Sequence, residues 1–495
     1  MGFFRHGDCE FSPVKWVRIL EFRHRDQSGH HHFRREETVA EPNTNQKDLY
    51  GYHASDVKEP PTTLSGALKQ VGPGILLTAS IVGTGELIAT TTLGAEIGYV
   101  MLWAVILSCL IKVVVQAMMG RYSIATGETT LESFQRFPGP RFAGANWITW
   151  LWAAIVFFVL LQVGAMFSGV AQVMNILLPA VPVDIWVLIL GVFTLWVLLA
   201  GSYAKVEVFA TWMVAIFTLM TLVSVYVLIN KPQFFSWGEV TSGLKFAFPD
   251  AGIATAIAVF GITGVGATEL VAYPYWCVEK GYARYAGKPE DSEAWRNRAR
   301  GWIKVMHTDI IAAMLIYTFA TVAFYLLGAG ILNKMGLVPK GNEMIKTLSN
   351  MYSETMGPFG FYLFLIGAIA VLYSTIFAAT AAHARLYPDM LQIMGIFKRN
   401  DYTARVKWVK IFTVILIVVP VIMHYSFKAP VAMVKAGGIA QSLLLPVIAL
   451  STILLLNRHL EHRLKPQAWV MPTLWVILFI MLIAAYFGIK KILGL

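Results

Sequence analysis

Charge is scarce in this chain. Asp, Glu, Lys and Arg make up 14% of its 495 residues, against 57% hydrophobic. A soluble globular protein carries roughly 25% charged residues. The shortage excludes the two or three soluble domains that the length alone would allow. Cysteine is scarce as well. Cys9 lies in a polar N-terminal stretch, and Cys109 and Cys277 lie in apolar runs, so no disulfide framework is implied. No secretory leader is recognisable, because the first apolar run begins near residue 70 behind a charged stretch. The apolar runs lack the alternation of a membrane barrel, and an open sheet cannot satisfy its backbone in lipid. They also hold no nucleophile–base pair and no metal-hydrolase motif, which argues against an enzyme. No cofactor is implied.

What remains is a series of apolar runs, each long enough to cross a bilayer as a helix of about 20 residues. Eleven candidate spans fall near 70–97, 100–120, 146–178, 183–200, 204–230, 251–278, 306–330, 360–386, 407–426, 430–456 and 468–490. The expectation is an all-α, polytopic membrane protein. Its net charge of +11 would suggest nucleic acid in a soluble chain; here the distribution explains it. With the N-terminus in the cytoplasm, 30 of the 40 Lys and Arg fall on that side and 8 on the other. Lys112 and Lys435 fall within spans. The positive-inside bias therefore predicts a cytoplasmic N-terminus and, after eleven crossings, a C-terminus on the opposite side.

Residues 1–65 read as a separate tail, polar and charged, for which disorder is expected. It holds His30, His31 and His32, but no regular metal-ligand spacing. The loop 279–304 is rich in base, with Trp295 and Trp302 on one helical face, and reads as an amphipathic helix on the cytoplasmic interface. The remaining chain divides into 66–230 (spans 1 to 5), 231–456 (spans 6 to 10) and 457–495 (span 11).

One sentence is written twice. Residues 82–99 read VGTGELIATTTLGAEIGY and residues 265–282 read VGATELVAYPYWCVEKGY. Val82, Gly83, Glu86, Leu87, Ala89, Glu96, Gly98 and Tyr99 recur 183 positions later without a gap. The copies fall in spans 1 and 6. An odd number of crossings separates them, so they should run antiparallel, as in transporters built from inverted repeats with a midplane site at broken helices. The glycines near Gly83, Gly85 and Gly266 predict those breaks, since Gly weakens a helix by roughly 1 kcal/mol. Glu86 and Glu269 put a carboxylate in each copy at membrane depth, where it costs at least about 3 kcal/mol and marks function by default. Together they can clamp a cation or share a proton. The competing reading is an ion pair with Lys112 or Lys435. Thr84 and Thr268 stand closest to the two acids as neutral oxygens. Glu96 and Glu279, each beside Gly-Tyr, read as interfacial residues. His307 and Asp309, with His383 and Arg385, form either a proton path or a satisfied interfacial cluster.

Residues GPG at 72–74, GA-x-x-GY-x-x-LW-x-x-x-LS from Gly94 to Ser108, Gln116, Arg121 and IATG at 124–127 resemble the first two spans of the Nramp (natural resistance-associated macrophage protein) divalent-metal transporters. The segment opening at His307-Thr308-Asp309, and Gln441 with Pro446, are similar to that family too. The resemblance implies a LeuT-type fold, of five plus five inverted spans and one extra, with spans 1 and 6 broken. It departs at the site. Where the family carries Asp-Pro-Gly-Asn, this chain has Gly83-Thr84-Gly85-Glu86; near the family's Met-Pro-His it has Gly266-Ala267-Thr268-Glu269. With the soft thioether gone and carboxylates present, oxygen-preferring Mg²⁺, Ca²⁺ or Mn²⁺ fits better than Cu or Zn. The expected function is a secondary, alternating-access carrier of a divalent cation, with Glu86 and Glu269 as metal ligands and protons as candidate coupling ions. A proton- or sodium-coupled symporter of an organic cation or amino acid, and a non-transporting membrane sensor, are the alternatives. The expected partners are lipid and the metal ion or solute, and no nucleic acid.

Overall fold

A computed structural model of the chain describes residues 50–493, apart from 82, 201–202, 250 and 399–400. The histidine run and Cys9 lie outside the described residues. From Tyr50 on, the chain packs against the bundle: Asp56 is buried and pairs with Arg284 at 3.8 Å, and Trp302 Nε1 donates to the Lys58 carbonyl at 3.0 Å.

The architecture is helical, with one two-residue hairpin pairing Arg141–Phe142 and Ala145–Asn146. In chain order the main helices are α1 (Pro73–Ile81), α2 (Thr91–Ile97), α3 (Leu102–Thr126), α4 (Trp147–Leu177), α5 (Val183–Leu199), α6 (Tyr203–Ile229), α7 (Ile253–Ile262), α8 (Ala267–Lys280), α9 (Glu293–Leu327), α10 (Met344–Ile393), α11 (Tyr402–Phe427), α12 (Pro430–Arg458) and α13 (Val470–Ile492). Among the described residues nine helical segments are long and apolar enough to cross a membrane, taking α7 and α8 as one. The shorter apolar α5 and the broken α1–α2 segment account for the other apolar runs.

Local chemistry sets the ends. Asn146, Ser292 and Asp401 accept backbone amides at the starts of α4, α9 and α11, and Pro430 opens α12, where its missing N–H costs nothing. α10 is two helices meeting at Gly357, whose φ of 67° no helix allows. α9 begins thirteen residues before the expected span and absorbs part of the 279–304 loop. Its Trp295 and Trp302 are buried, with Trp302 stacked against Tyr282 and tilted against Tyr285. They turn into the protein rather than toward a lipid interface.

Both repeat copies are broken, and they run antiparallel. The end of α2 meets the start of α7, where Thr255 Oγ1 donates to Glu96 at 2.5 Å; the region after α8 meets the start of α1, where Tyr282 donates to the Gln70 carbonyl at 2.9 Å. Tyr99 makes the matching bond, to the carbonyl of Phe234 ahead of α7, at 3.3 Å. Gly98 and Gly281 before these tyrosines both take positive φ, 64° and 101°.

The buried apolar side chains form two clusters, and each broken segment straddles them. Leu77 and Ile81 of α1 belong to one cluster, with Leu270 and Val271 of α8. Leu87, Ile88 and Leu93 of the first copy belong to the other, with Val259 and Ile262 of α7. The breaks therefore sit on the seam between two separately packed halves.

Candidate functional site

The two breaks touch. The hydroxyls of Thr90 and Thr263 lie 3.1 Å apart. In the first break a π-helical turn spans Thr84–Thr90, so carbonyls reach donors five residues on: Thr90 Oγ1 donates to Gly85 O at 2.8 Å and Thr91 Oγ1 to Glu86 O at 3.1 Å. Such turns recur at functional sites. Thr84 and Gly85 are buried within it. At Gly83 a Cβ would overlap the hydroxyl of Thr375 on α10. Packing thus leaves no room for a side chain at this position.

Glu86 is wholly buried. Its Oε1 accepts from Thr321 Oγ1 at 3.0 Å and from the Gly264 amide at 3.4 Å. Its Oε2 has no hydrogen-bond partner among the described residues. Lys112, equally buried, does not form the ion pair with Glu86 that the competing reading required. Its Nζ donates to the Phe260 carbonyl at 2.8 Å and to the Thr263 carbonyl. The reason lies in the second break. Past Ile262 the chain turns extended at Thr263 (φ −72°, ψ 144°), and the freed amide and carbonyls need partners. Glu86 takes the amide and Lys112 takes the carbonyls.

Glu269 lies elsewhere. It is half-buried, and its Oε2 folds across the face of Gly266, where a Cβ would overlap it. The same imagined Cβ would stand 2.9 Å from Gln441 Oε1 of α12. Thr268 ties the two acceptors together: Oγ1 is 3.0 Å from Glu269 Oε2 and 3.2 Å from Gln441 Oε1, to which the Thr268 amide also donates at 3.2 Å. Gln441 in turn donates to Gln162 Oε1 of α4 at 3.3 Å. Three kinds of oxygen, carboxylate, amide and hydroxyl, therefore converge at the start of α8. Beside them lies a cavity of about 20 Å³, room for a water or a bare ion, lined by Glu269, Thr268, Trp276, Leu77, Ala382 and His383. Glu86 and Glu269 share no direct hydrogen bond; each takes its own set of donors. Among the described residues no cluster of three or more His, Cys, Asp and Glu is arranged to hold a metal.

The remaining candidates fall outside this cluster. Lys435 pairs with Glu96 at 2.5 Å instead of a midplane acid. At the other end of the bundle Glu279 pairs with Arg385 at 3.2 Å and accepts from Tyr50 at 2.6 Å. These two glutamates, expected as water-facing interfacial residues, are thus bound in ion pairs at opposite ends, separated by the length of α7 and α8. Asp309 is buried. It accepts the Gly72 and Gly74 amides at 2.9 and 2.5 Å and the Tyr273 hydroxyl at 3.2 Å, anchoring the positive N-terminus of α1 to α9 and α8. His307 Nε2 is buried without a hydrogen-bond partner among the described residues, whereas His383 bonds through Nδ1 to Ala379 O at 2.7 Å and borders the cavity. Sequence reasoning missed Gln162, Thr321 and Thr375. Gln162 carried a signal: it is an amide in the middle of a 31-residue apolar helix, and polar residues at membrane depth are rarely idle.

The description natural resistance-associated macrophage protein-like (Nramp) matches residues 74–490. The chain belongs to this family. Its members are membrane transporters rather than enzymes, and the protein is an integral, multi-pass membrane protein. Over 415 residues, 83% of this chain and 89% of the relative, it is 23% identical to the divalent metal cation transporter MntH of Bacillus subtilis (strain 168). A second MntH, from Brucella suis biovar 1 (strain 1330), is 30% identical over 179 residues, 36% of this chain and 37% of that one. The fold is LeuT-type. It is similar to a variant of the Eremococcus coleocola manganese transporter, with TM-score 0.60 at 14% identity over 89% of this chain and 91% of that one. It is also similar to Mhp1, a nucleobase-cation-symport-1 family transporter solved closed with bromovinylhydantoin bound, with TM-score 0.54 at 16% identity over 90% and 97%.

Proposed function

We propose that this Nramp-family member carries a divalent cation of the hard, oxygen-preferring class across the membrane by alternating access, with its N-terminal side in the cytoplasm. The observation that carries this reading is the all-oxygen cluster of Glu269, Gln441 and Thr268 at the second break. Carboxylate and carbonyl oxygens favour Mg²⁺, Mn²⁺ or Ca²⁺; a thioether or imidazole would have favoured softer ions. The names of the relatives, divalent metal cation transporters, agree with it. Glu269 supplies the charge, Gln441 and Thr268 neutral ligands, and Glu86 a second negative charge buried behind them. The ion pairs Glu96–Lys435 and Glu279–Arg385 are both formed here, one at each end of the path; breaking one at a time would open the two ends in turn. His383, on the cavity wall, is the group through which a coupled proton passes. A second reading, an organic amine as substrate, is favoured by the Trp276 and Leu77 walls of the same cavity.

Uptake of Mn²⁺ and Mg²⁺ into proteoliposomes tests the first reading. Glu269→Gln should lower the initial rate by about tenfold or more, the effect of some 1.4 kcal/mol of lost binding, and Gln441→Ala by a smaller factor. Normal uptake by Glu269→Gln would sink it. Amines that raise the Tm where Mn²⁺, Mg²⁺ and Ca²⁺ do not would move the assignment to the second reading.

A further inference from the structure

We propose that the Lys112 ammonium is a tethered cation, filling a carbonyl site that the broken α7 opens and that a free monovalent cation would otherwise occupy. In broken-helix carriers the freed carbonyls at half-helix C-terminal ends are ligands for small cations. Here α7 ends at Ile262. Had the helix continued, the Gly264 amide would bond to the Phe260 carbonyl four residues back. It donates to Glu86 instead, at 3.4 Å, and Phe260 O is left without that donor. Lys112 Nζ takes its place at 2.8 Å and reaches Thr263 O as well. Ser108, one turn earlier on α3, stands 3.4 and 3.5 Å from the same two carbonyls. The Phe260 ring presents its face with its centroid 5.5 Å from Nζ.

Two carbonyls bearing the partial negative charge of a helix C-terminus and an aromatic face are surroundings that suit a small cation, and the Ser108 hydroxyl, which donates to the same carbonyls, can turn its oxygen to one. The ion present is covalently attached to α3. Lys112 is wholly buried, and among the described residues it forms no ion pair within 4.0 Å. Its charge is balanced across the break by Glu86, which holds the amide on the other side. Break, acid and lysine form one unit: the positive group serves the orphan acceptors and the negative group the orphan donor. This goes beyond the transport reading, because it makes the second broken helix independent of any second, dissolved cation.

Stability in detergent, read in sodium, potassium, ammonium and choline chloride at equal concentration, tests it. Lys112→Ala vacates the site. Its Tm should be higher in at least one of the small-cation salts than in choline chloride by about 2 °C or more. Wild type should show no such difference. Lys112→Met, which refills the volume without charge, should be destabilised and equally indifferent to the salt. If Lys112→Ala can be extracted folded only with a small cation present, the same site has been rescued and the proposal stands. If Lys112→Ala is indifferent to the cation, whether folded in every salt or in none, or if Lys112→Met melts with the wild type, Lys112 is a packing residue and the proposal is overturned. The readout is melting, so it remains interpretable if the chain carries no divalent ion.

Discussion

Glu269 borders a cavity and keeps company with Thr268 and Gln441, whereas Glu86 is sealed against Thr321, the Gly264 amide and the far side of the Lys112 site. The same substitution should therefore read out differently in the two copies of the repeat. Glu86→Gln leaves the Lys112 ammonium buried without its balancing charge. Removing a nearby compensating charge from a buried ammonium is unfavourable, so a Tm loss of several degrees is expected, with little change in the KM for metal of the protein that remains folded. Glu269→Gln should keep a near-native Tm and raise the KM. Melting curves and concentration-dependent uptake on both variants check the split; a destabilised Glu269→Gln beside a stable Glu86→Gln would reverse the assignment. That both positions deserve a test was legible in the sequence, because a carboxylate beside glycine in an apolar run breaks the rules of a packed span. Which way each carboxylate turns was not. It depends on Thr321, 235 residues from Glu86, and on Gln441, 173 residues from Thr268, and no local period reaches that far. Gly83 is a similar case: it reads as a lost ligand until Thr375 is seen filling the space where a side chain would stand.

The helices and their antiparallel repeats were readable because hydrophobic length, internal identity and glycine position are local signals. The contacts that close the ends of the bundle were not. Glu96 and Glu279 look like water-facing residues until Lys435, 339 positions from Glu96, and Arg385 are brought to them. Arg385 also stacks on Trp276, a wall of the cavity, at 5.2 Å, so the Glu279 pair adjoins the wall of the cavity that holds Glu269. Partly buried pairs of this kind are worth on the order of 1 kcal/mol each, enough to shift a two-state equilibrium several-fold. In a background with the cysteines replaced, an Ala382→Cys probe on the cavity wall should react with an impermeant maleimide from the Glu279 side. Glu279→Gln should speed that labelling roughly 3–10-fold, and Glu96→Gln, which loosens the opposite end, should slow it or leave it unchanged. Equal acceleration by both variants would mean that the pairs brace the fold and do not gate alternate ends.

At the scale of the molecule, the loops that the charge count assigns to one side are in contact with one another. Arg121 at the end of α3 donates to Leu464 O at 3.0 Å, Arg296 pairs with Glu461 at 2.5 Å, and Tyr50 reaches Glu279 at 2.6 Å. The basic segments 121–145, 279–304 and 457–465 thus share an end, and α9, 35 residues long, carries the chain from it to the region of Lys334 and Lys340 at the far end, a rise of about 50 Å. Geometry alone leaves the sign of this axis free. The proposed orientation takes its sign from the excess of Lys and Arg at the first end, since basic loops tend to be retained in the cytoplasm. Lys340 and Lys465 are both exposed, one at each end. In intact cells Lys340→Cys should react with an impermeant maleimide, and Lys465→Cys should react only after permeabilisation. The opposite pattern would invert the molecule in the membrane, turn the Glu279–Arg385 pair outward, and reverse the direction in which the two gates meet a metal ion arriving from outside.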